Sequence, residues 1–539
     1  MSSSSAQIDR GQPDRLGSTD PALLLTLADP ATYGGVPVVV HETHASWVFV
    51  AGERAYKIKK PVALGFLDYS TLERRRNACV EEVRVNQELA PGIYLGIRAI
   101  VRTKAGFAFA PNDQAPDTVE YAVEMRSFDE ADTLAGLIAS QALTSEHLEA
   151  VARRVAAFHR SAPTVAGGDA AQVLGVWQQN LLDLRQVSQA LEFPVHLAER
   201  FAEMFVRLHE GEIEQRRAAG FVRDVHGDLR CEHVLLTPSV RVVDRIEFDP
   251  SLRHTDIACD LAFLTMDLEA HDQRWAAETL VSAYRDSDLD AGSDALLSFY
   301  GAHRALIRAT VDLVGASEHD GERRAALLAE ARSKWTLAER LCWRARAPLA
   351  IVVCGPAGSG KSTLAAELSK RSGLAVLSSD AIRKSELGLH ATDRAAPEHY
   401  SHRVTHHTYE LLASQAHELI DHGNGVIVDA TCRSRVERST LLGRLARTGA
   451  PRLVVRCEVP LEVALARAAR REHDPARVSD AGPQIVAEQY RSFQQLEELA
   501  PEDVLALDTR RPLSTQVCEV TSAIDRLLMT RAGGTATDW

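Results

Sequence analysis

Lysine is scarce in this sequence, and several signatures of common protein classes are missing from it. Only eight of the 61 basic residues are lysine, so each lysine carries more information than each arginine. The eight cysteines include no CxxC pair, which argues against a zinc site or a disulfide framework. No uninterrupted apolar run reaches the roughly 18 residues of a membrane span. We therefore expect a reduced, cytoplasmic protein that does not enter a membrane.

Charge and length narrow the possible functions further. The net charge of −13 disfavours a broad nucleic-acid-binding surface. At 539 residues the chain is too long for one typical core, so we expect several domains. The opening segment, MSSSSAQIDRGQPDR, contains no apolar stretch. We therefore expect no signal peptide and interpret residues 1–20 as a disordered polar tail.

The hydrophobic pattern changes near residue 346. Short alternating runs such as VPVVVH and SWVFVAG predict antiparallel strands in the first half, and helical periods dominate from about 131 to 345. From Pro348 the apolar run LAIVVCG opens a series of alternating strands and helices, which is typical of a parallel α/β sheet. The sequence thus predicts two domains, 21–345 and 346–539, without a Gly/Ser-rich linker between them.

The strongest motif follows that apolar run. GPAGSGKST satisfies G-x-x-x-x-G-K-[ST] between a strand and the helical segment TLAAELSKR, which is the context of a phosphate-binding loop. Glycines let backbone N–H groups close around phosphate oxygens, and a helix N-terminus adds a favourable dipole. Lys361 is then expected to reach the β- and γ-phosphates of a nucleoside triphosphate, and Ser362 to bind Mg²⁺. The predicted nucleotide-binding residues are Gly355, Pro356, Ala357, Gly358, Ser359, Gly360, Lys361, Ser362 and Thr363.

Polar residues at the ends of later strands suggest what happens to the triphosphate. In SSDAIRK, Asp380 is suited to accept a proton from an attacking hydroxyl and Arg383 to hold an anionic group. A helix cap followed by a solvated arginine is the alternative. The strand GVIVDAT ends in Asp429, which is suited to the Mg²⁺ shell. The segment ARAARREHDPARVSDA predicts a lid that closes Arg467 and Arg471 over the triphosphate, although a solvated arginine face explains it nearly as well.

These motifs carry a resemblance to a known group. Through GPAGSGKS, SSDAIR, VDAT and the arginine-rich SDA segment, residues 348–525 resemble P-loop kinases of the polynucleotide kinase, gluconate kinase and zeta-toxin group. The resemblance implies an α/β P-loop NTPase fold with a parallel sheet and phosphoryl transfer to a hydroxyl group. Members of that group differ in their acceptor, so the resemblance does not imply which acceptor is used.

A second set of chemically suited residues lies in the first half, in HGDLRCEHVLL. Asp228 and His233 have the D-x-x-x-x-N spacing of a kinase catalytic loop, with histidine in the place of asparagine. Asp244 follows after a strand, as a metal-binding aspartate would. Together with DIACDLAFL, these segments make residues 21–345 resemble aminoglycoside phosphotransferases and related choline or sugar kinases. The resemblance implies an α+β protein-kinase-like fold with Asp228 as a catalytic residue.

The same resemblance assigns the other parts of an ATP site. Lys57 in AYK is expected to reach the α- and β-phosphates, with Lys59 as the second choice. Glu82, in the following helical segment, is expected to pair with that lysine. Glu124 and Met125 in YAVEMRSF resemble the hinge whose backbone meets adenine.

His233 is the main departure from that group. Neutral imidazole suits Mn²⁺ or Zn²⁺ better than Mg²⁺, which prefers oxygen ligands. The first half is therefore a slow kinase, a kinase that prefers Mn²⁺, or a nucleotide-binding pseudokinase. The whole sequence predicts a bifunctional phosphotransferase that uses ATP and Mg²⁺ on a hydroxyl of a small molecule, a sugar or a nucleic-acid end. The alternative is a first half that senses a ligand and regulates the P-loop half.

Overall fold

The structure is a computed structural model that describes most of the chain. The described residues are 19–64, 67–104, 106–111, 113–188, 193–390, 392–394, 396–471 and 481–533. The predicted tail at residues 1–20 therefore lies outside the described residues, except for Thr19 and Asp20. Within those ranges, no helix has both the length and the apolar character needed to cross a bilayer.

The regular elements are helices and short strands, named here in chain order. The helices are α1 (Pro21–Ala28), α2 (Leu72–Asn86), α3 (Leu134–Ala139), α4 (Ser145–Ser161), α5 (Ala170–Val187), α6 (Val195–Ala218), α7 (Ile257–Ala270), α8 (Arg274–Arg285), α9 (Asp294–Ser317), α10 (Gly321–Arg346), α11 (Lys361–Ser372), α12 (Ser379–Glu386), α13 (His402–Asp421), α14 (Arg435–Leu445), α15 (Leu461–Arg471), α16 (Pro483–Ser492) and α17 (Leu513–Arg531). The strands are β1 (Val38–Glu42), β2 (Ser46–Ala51), β3 (Arg54–Lys59), β4 (Ala63–Leu64), β5 (Leu67–Asp68), β6 (Tyr94–Thr103), β7 (Gly106–Phe109), β8 (Thr118–Arg126), β9 (Val222–Asp224), β10 (Val234–Leu235), β11 (Arg241–Val242), β12 (His254–Asp256), β13 (Ala350–Cys354), β14 (Ala375–Ser378), β15 (Val426–Asp429), β16 (Arg452–Glu458) and β17 (Val504–Asp508).

The chain forms two compact units, each made of two stretches of sequence. The first unit is Met1–Gly167 with Ala219–Ala291, and the second is Gly168–Ala218 with Gly292–Trp539. Two units are thus present, but their limits differ from the predicted ranges 21–345 and 346–539. The reason is packing, since α6 contacts α17 and α10 contacts α11, which places these long helices in the same unit as the P-loop sheet.

The first unit is built on an antiparallel sheet. Its six strands lie in the order β1-β2-β3-β8-β6-β7, which agrees with the alternating patterns in the sequence. Helix α2 begins at the Thr71 cap, whose hydroxyl accepts a hydrogen bond from Arg74 N at 3.2 Å, and it packs on β6 and β8. The α+β composition is therefore observed, and the protein-kinase-like fold stays a prediction.

The second unit contains the parallel sheet that the sequence predicted. Five strands lie in the order β14-β15-β13-β16-β17, and every pairing is parallel. All residues of the central strand β13 are buried, as expected when helices cover both faces of a parallel sheet. One face packs against α11 and α17 through Leu364 and Ile524, and the other packs against α13 and α14 through Leu412 and Leu441.

A buried ion pair fastens α10 to α17 in this unit. Arg346 Nε and Nη2 lie 2.7 and 3.1 Å from the two carboxylate oxygens of Asp525, and both side chains are almost fully buried. The guanidinium also lies over the rings of Phe201 and Trp343. Removing one partner of such a pair leaves an uncompensated buried charge.

We expect Asp525→Ala to lower the free energy of unfolding of the second unit by about 3–5 kcal/mol, because Arg346 would remain buried without its carboxylate. Urea unfolding followed by tryptophan fluorescence measures this loss. The matched control is Asp503→Ala, whose partner Arg531 lies 3.3 Å away in a partly exposed pair and which is expected to cost less than about 1 kcal/mol. Equal losses in the two variants would contradict the prediction.

Candidate functional site

The phosphate-binding loop follows β13 directly, and its shape depends on glycine. Gly355 and Gly358 have φ values of 138° and 82°, which side chains with a Cβ rarely adopt. A Cβ on Gly355 would lie 2.8 Å from Cys457 O, and one on Gly358 would lie 2.7 Å from Ala464 O. The loop therefore packs so closely against β16 and α15 that only glycine fits at these two positions.

The ends of β13, β14 and β15 bring four predicted site residues to one edge of the sheet. Lys361 Nζ donates a hydrogen bond to Pro356 O at 3.0 Å and so lies across the loop. Burial raises the pKa of Asp429, while Lys361 and a hydrogen bond from Ser362 lower it and nearby Asp380 raises it further. The four side chains therefore share one electrostatic environment.

At this site, Ser362 and Asp429 carry oxygen atoms that are suited to bind a cation. A hydroxyl and a carboxylate are hard ligands of the kind Mg²⁺ prefers, and Mg²⁺ commonly takes only one or two protein ligands beside waters and substrate phosphates. Across the described part of the chain, no group of three or more His, Cys, Asp or Glu side chains is arranged to hold a metal. The donor set at the loop thus fits a cation that is shared with a bound phosphate.

Asp380, on the first turn of α12, pairs with Arg383, on the last turn of the same helix. Arg383 Nη1 donates to Asp380 Oδ1 at 2.9 Å, and its guanidinium lies 4.6 Å from the centre of the Tyr400 ring. Arg383 is buried, whereas the Asp380 side chain is 30% exposed. The carboxylate is therefore held in place and still accessible to a ligand.

Arg467 has a different environment from the one expected of a lid residue. Its guanidinium donates to Thr509 Oγ1 at 3.0 Å and to Thr509 O at 2.9 Å, and Thr509 Oγ1 donates to Ser359 O at 2.6 Å. Arg467 thus ties the end of β17 to the phosphate-binding loop. The side chain of Arg471 and residues 472–480, which belong to the segment predicted to form the lid, lie outside the described residues.

Two glutamines that the sequence did not single out also reach this site. Ala357 N donates to Gln489 Oε1 at 2.7 Å, so one amide of the loop is already paired. Gln516 lies on the first turn of α17 and lines a cavity of about 370 Å³ that continues from the loop. The cavity is lined by Gly358, Gly360, Thr363, Arg467, Arg470, Thr509, Leu513 and Gln516. Neither glutamine belongs to a motif, so no sequence signal could have found them.

A second centre, in the first unit, is built around two lysines on β3. Lys57 Nζ lies 2.6 Å from Asp244 Oδ1 and 2.9 Å from Glu82 Oε1. Lys59 Nζ lies 2.6 Å from the other oxygen of Glu82 and also pairs with Glu247. Burial lowers the pKa of Lys57, but Asp244 and Glu82 outweigh it and hold that pKa well above its usual value. Lys57 is the lysine that meets Asp244, and both lysines share Glu82.

Asp228, His233 and Asp244 are close to one another, and Arg230 lies among them. His233 Nδ1 donates to Asp228 O at 2.8 Å, which leaves Nε2 as an acceptor 3.7 Å from Asp244 Oδ2. Arg230 Nη2 lies 3.2 Å from that Nε2 and 3.1 Å from Asp228 Oδ2. Asp244 adopts a φ of 63°, a strained value for a residue with a side chain. The predicted spacing therefore does bring the three residues together, with an arginine between them.

Asp260 holds the loop that carries Asp228. Its carboxylate accepts hydrogen bonds from His226 N at 3.1 Å, Gly227 N at 2.9 Å and His159 Nε2 at 3.0 Å. Burial raises the pKa of Asp260, but these donors lower it to about 2. An acidic residue inside the apolar run IACDLAFL was the only sequence signal for this role.

His226 is buried as a neutral imidazole. Its Nε2–H donates to Val243 O at 3.0 Å and its Nδ1 accepts from Asp228 N at 3.3 Å. Both nitrogens are thus satisfied without a charge, and protonation would set Nδ1–H against an N–H donor. Burial accordingly lowers the pKa of His226 to about 4.

We expect the first unit to lose stability as the pH falls from about 6.5 towards 4. In that window the unfolded chain takes up a proton at His226 that the folded chain excludes. The stability that comes from burying neutral His226 is therefore fully present above pH 6.5 and is lost as the pH falls to the folded pKa. The shift corresponds to about 3 kcal/mol. Thermal unfolding of the wild type and His226→Gln at pH 7 and 4.5 measures it. The same pH dependence in both proteins would show that His226 does not contribute.

Glu124 and Met125 lie inside β8, between β3 and β6. Glu124 faces Tyr56 on one side and Gly96 on the other, so its backbone groups belong to the sheet. Its carboxylate pairs with Arg98 at 2.8 Å, while Met125 packs with the apolar cluster that includes Val123. Both residues thus lie within the sheet, and their contact with adenine stays a prediction.

Comparisons with known proteins match both parts of the chain. The family model described as "AAA domain" (AAA_33) matches residues 351–496. "Uncharacterized protein Rv2004c" of Mycobacterium tuberculosis is 30% identical over 435 residues, which cover 79% of this chain and 84% of that protein. "Uncharacterized protein Mb2027c" of Mycobacterium bovis matches with the same identity and coverage.

Solved structures resemble parts of the chain more distantly. A gluconokinase from Sinorhizobium meliloti is 19% identical and covers 34% of this chain and 95% of its own, with a TM-score of 0.25. A choline/ethanolamine kinase family protein from Mesorhizobium loti is 14% identical and covers 59% of this chain and 97% of its own, with a TM-score of 0.34. Likenesses at these values decide neither fold nor function.

Proposed function

The chain belongs to the family of the mycobacterial protein Rv2004c. Because the matched region is longer than either compact unit, we propose one function for the two units together. The protein is a bifunctional ATP-dependent phosphotransferase, in which each unit has a site for moving a γ-phosphoryl group to a hydroxyl. The second unit carries the stronger case. In the first unit, a nucleotide-binding regulatory role is the alternative.

The single observation that carries the proposal is the meeting of Lys361, Ser362, Asp380 and Asp429 at the ends of three parallel strands. In open parallel sheets ligands bind at that edge. The glycine loop supplies backbone donors for phosphate oxygens, and the adjoining cavity of about 370 Å³ is large enough for a nucleoside. The arrangement therefore supplies a place for each part of a nucleoside triphosphate.

The proposed reaction assigns one task to each side chain. The acceptor hydroxyl gives its proton to Asp380 as its oxygen bonds to the γ-phosphorus, and the bond from that phosphorus to the β-phosphate oxygen breaks to release ADP. Lys361 neutralises charge that spreads over the phosphoryl oxygens. Ser362 and Asp429 would hold Mg²⁺, which neutralises the β- and γ-phosphates when bound.

Arg383 bears on the acceptor. A buried arginine, fixed by Asp380 and Tyr400, favours an acceptor that carries an anionic group near its reacting hydroxyl. Such a group is present on phosphorylated or carboxylated small molecules and on nucleic-acid ends. The net charge of −13 argues against a broad nucleic-acid surface, so a small molecule is the favoured class.

In the first unit, the contacts of Lys57 with Glu82 and Asp244 support the proposal of a kinase-like ATP site. Lys57 would contact the α- and β-phosphates, and Asp244 with His233 would hold the metal, which is Mg²⁺ or Mn²⁺. Asp228 would orient the acceptor hydroxyl. The contact of Arg230 with both Asp228 and His233 favours the alternative, because it places a positive charge where a metal and an acceptor would have to bind.

We expect Arg230→Gln to increase metal affinity of the first unit by at least about tenfold, because it removes a unit charge close to the metal-binding oxygens.

His233→Ala is expected to weaken metal-dependent turnover, and His233→Asn to preserve or improve it with Mg²⁺ by providing an oxygen ligand. Titrations of the full chain with Mg²⁺ and Mn²⁺ measure both effects. Arg74→Gln is the control, since Arg74 is an exposed residue of the same unit that pairs with Asp68.

Identical metal dependence in the wild type and His233→Ala would assign His233 a structural role. The regulatory alternative for the first unit would then be favoured. No change in Arg230→Gln would remove the argument that this arginine competes with a cation.

Transfer of label from ATP labelled at the γ-phosphate to a panel of hydroxyl compounds tests the function as a whole. The panel contains anionic and neutral sugars, other small alcohols and oligonucleotides with 5′-hydroxyl ends. Comparing Lys361→Ala with Asp228→Ala assigns each product to one unit. Absence of any labelled product and of ATP hydrolysis in the wild type would overturn the proposal.

A further inference from the structure

Gln516 is a polar side chain in the lining of the cavity beside the phosphate-binding loop, and it is both buried and fixed in orientation. Gln516 is 5% exposed. Its Nε2 donates to Arg511 O at 2.8 Å and to Thr509 O at 3.4 Å. Because both neighbours are carbonyl oxygens, which only accept hydrogen bonds, the amide cannot be turned the other way without setting oxygen against oxygen.

This orientation decides what the cavity offers to a ligand. With Nε2 engaged by the two carbonyls, Gln516 Oε1 is left as an acceptor, and no donor among the described residues reaches it. A ligand that displaces water from this acceptor without giving it a hydrogen bond loses free energy, whereas a ligand with a donor at this point does not. The ligand is therefore expected to bring an N–H or O–H group to this point.

The other walls of the cavity suit a flat ring. Arg467 and Arg470 line the cavity, arginine is a side chain that stacks on aromatic rings, and Leu513 adds apolar surface. Gly358, Gly360 and Thr363 connect this space to the phosphate-binding loop. A ligand whose phosphates lie in the loop would therefore place its base in the cavity.

We propose that Gln516 determines base specificity at this site and selects adenine through its exocyclic amino group. The proposal rests on the proposed function of the second unit, which requires a nucleoside triphosphate there. In the pose that brings position 6 of a purine to Oε1, adenine offers an amino donor. Guanine and hypoxanthine offer a carbonyl oxygen in the same place, which would leave two desolvated acceptors facing each other.

Three triphosphates test this in the full-length wild-type protein. ATP, purine riboside triphosphate and inosine triphosphate carry an amino group, a hydrogen and an oxygen at position 6. We expect affinity to fall in that order, with inosine triphosphate about tenfold to a hundredfold weaker than ATP. The Lys361→Ala chain, titrated in parallel, measures the binding that belongs to the first unit. That contribution is subtracted before the comparison.

Gln516→Met provides the second measurement, because methionine has a similar length and offers neither donor nor strong acceptor. The variant is expected to bind ATP and inosine triphosphate with affinities within about threefold of each other. Gln495→Met is the matched control: Gln495 pairs with Arg456 at 3.0 Å in the same unit but does not line the cavity. It should keep the wild-type preference.

The outcomes distinguish a failure of the base-specificity proposal from a failure of the proposed nucleotide site on which it rests. Equal affinity of the wild type for ATP and inosine triphosphate, with binding that Lys361→Ala abolishes, would overturn the role of Gln516 and leave the nucleotide site standing. A preference that survives in Gln516→Met would also overturn it. If Lys361→Ala removed no binding at all, both the nucleotide site and the specificity argument would fail.

Discussion

Lys361→Ala is expected to reduce phosphoryl transfer by the second unit by at least about a hundredfold, the loss typical of removing a preorganised charge from a reacting centre. The lysine is positioned by its hydrogen bond to Pro356 O, within the same loop that would hold the phosphates. The backbone donors of the loop would remain, so the variant should keep its fold. Single-turnover transfer from labelled ATP measures the loss.

Lys370→Ala is the control for that experiment. Lys370 lies on the last turn of the same helix, α11, away from the loop, and its removal should leave the rate unchanged. If Lys361→Ala kept full turnover while Asp228→Ala abolished it, the second unit would be a passive nucleotide-binding domain and the first unit would be the enzyme.

The second large effect is expected for Asp380→Asn. The amide keeps the size of the carboxylate and cannot accept a proton, so transfer should fall by about 10²–10⁴-fold, the usual contribution of a general base. ATP affinity should stay within about threefold of the wild type, because Asp380 lies outside the glycine loop. Equilibrium binding and single-turnover rates on the same preparation separate the two effects.

An equal loss of ATP binding and of transfer would contradict the role as base and assign Asp380 to the cation instead. Arg383→Ala sharpens this test, since it removes the partner of Asp380 at 2.9 Å and leaves the base in place. For an anionic acceptor that variant should raise the acceptor KM more than it lowers kcat.

The parts of the second site that the sequence could predict are local. The loop is a continuous run after an apolar strand, Asp380 follows β14, and Asp429 is the last residue of β15 in the same sheet. Because the carboxyl ends of parallel strands lie at one edge of the sheet, the order of the motifs along the chain was enough to predict that these residues lie close together. The parallel sheet itself was predicted from the alternation of strands and helices and is confirmed.

Contacts across long separations could not be predicted in this way. The loop is contacted by residues more than a hundred positions away in the sequence. Gln489 and Thr509 form hydrogen bonds with it, and Gln516 lines the adjoining cavity. None of the three belongs to a sequence pattern that indicates a role. In the first unit the spacing of Asp228 and His233 predicted a metal-binding loop. The spacing did not predict that the side chain of Arg230 contacts both Asp228 and His233, because this contact depends on charge rather than on sequence position.

The grouping of helices was also beyond the sequence. Periodicity predicted that helices dominate from about 131 to 345, but which core each helix joins depends on the side chains that it contacts in the folded protein. The ion pair between Arg346 and Asp525 is an example, because the two residues are far apart in sequence and each alone is an ordinary surface type.

The two lysines that share Glu82 make the first unit unusually tolerant to the loss of one of them. In a site with a single lysine, its removal leaves the buried glutamate bare, so an inactive variant reports misfolding as readily as lost chemistry. Here Lys59 would still neutralise Glu82 if Lys57 were replaced. A variant at position 57 would therefore lose the proposed phosphate contact while Glu82 keeps Lys59 as a partner, so that the variant separates nucleotide binding from folding.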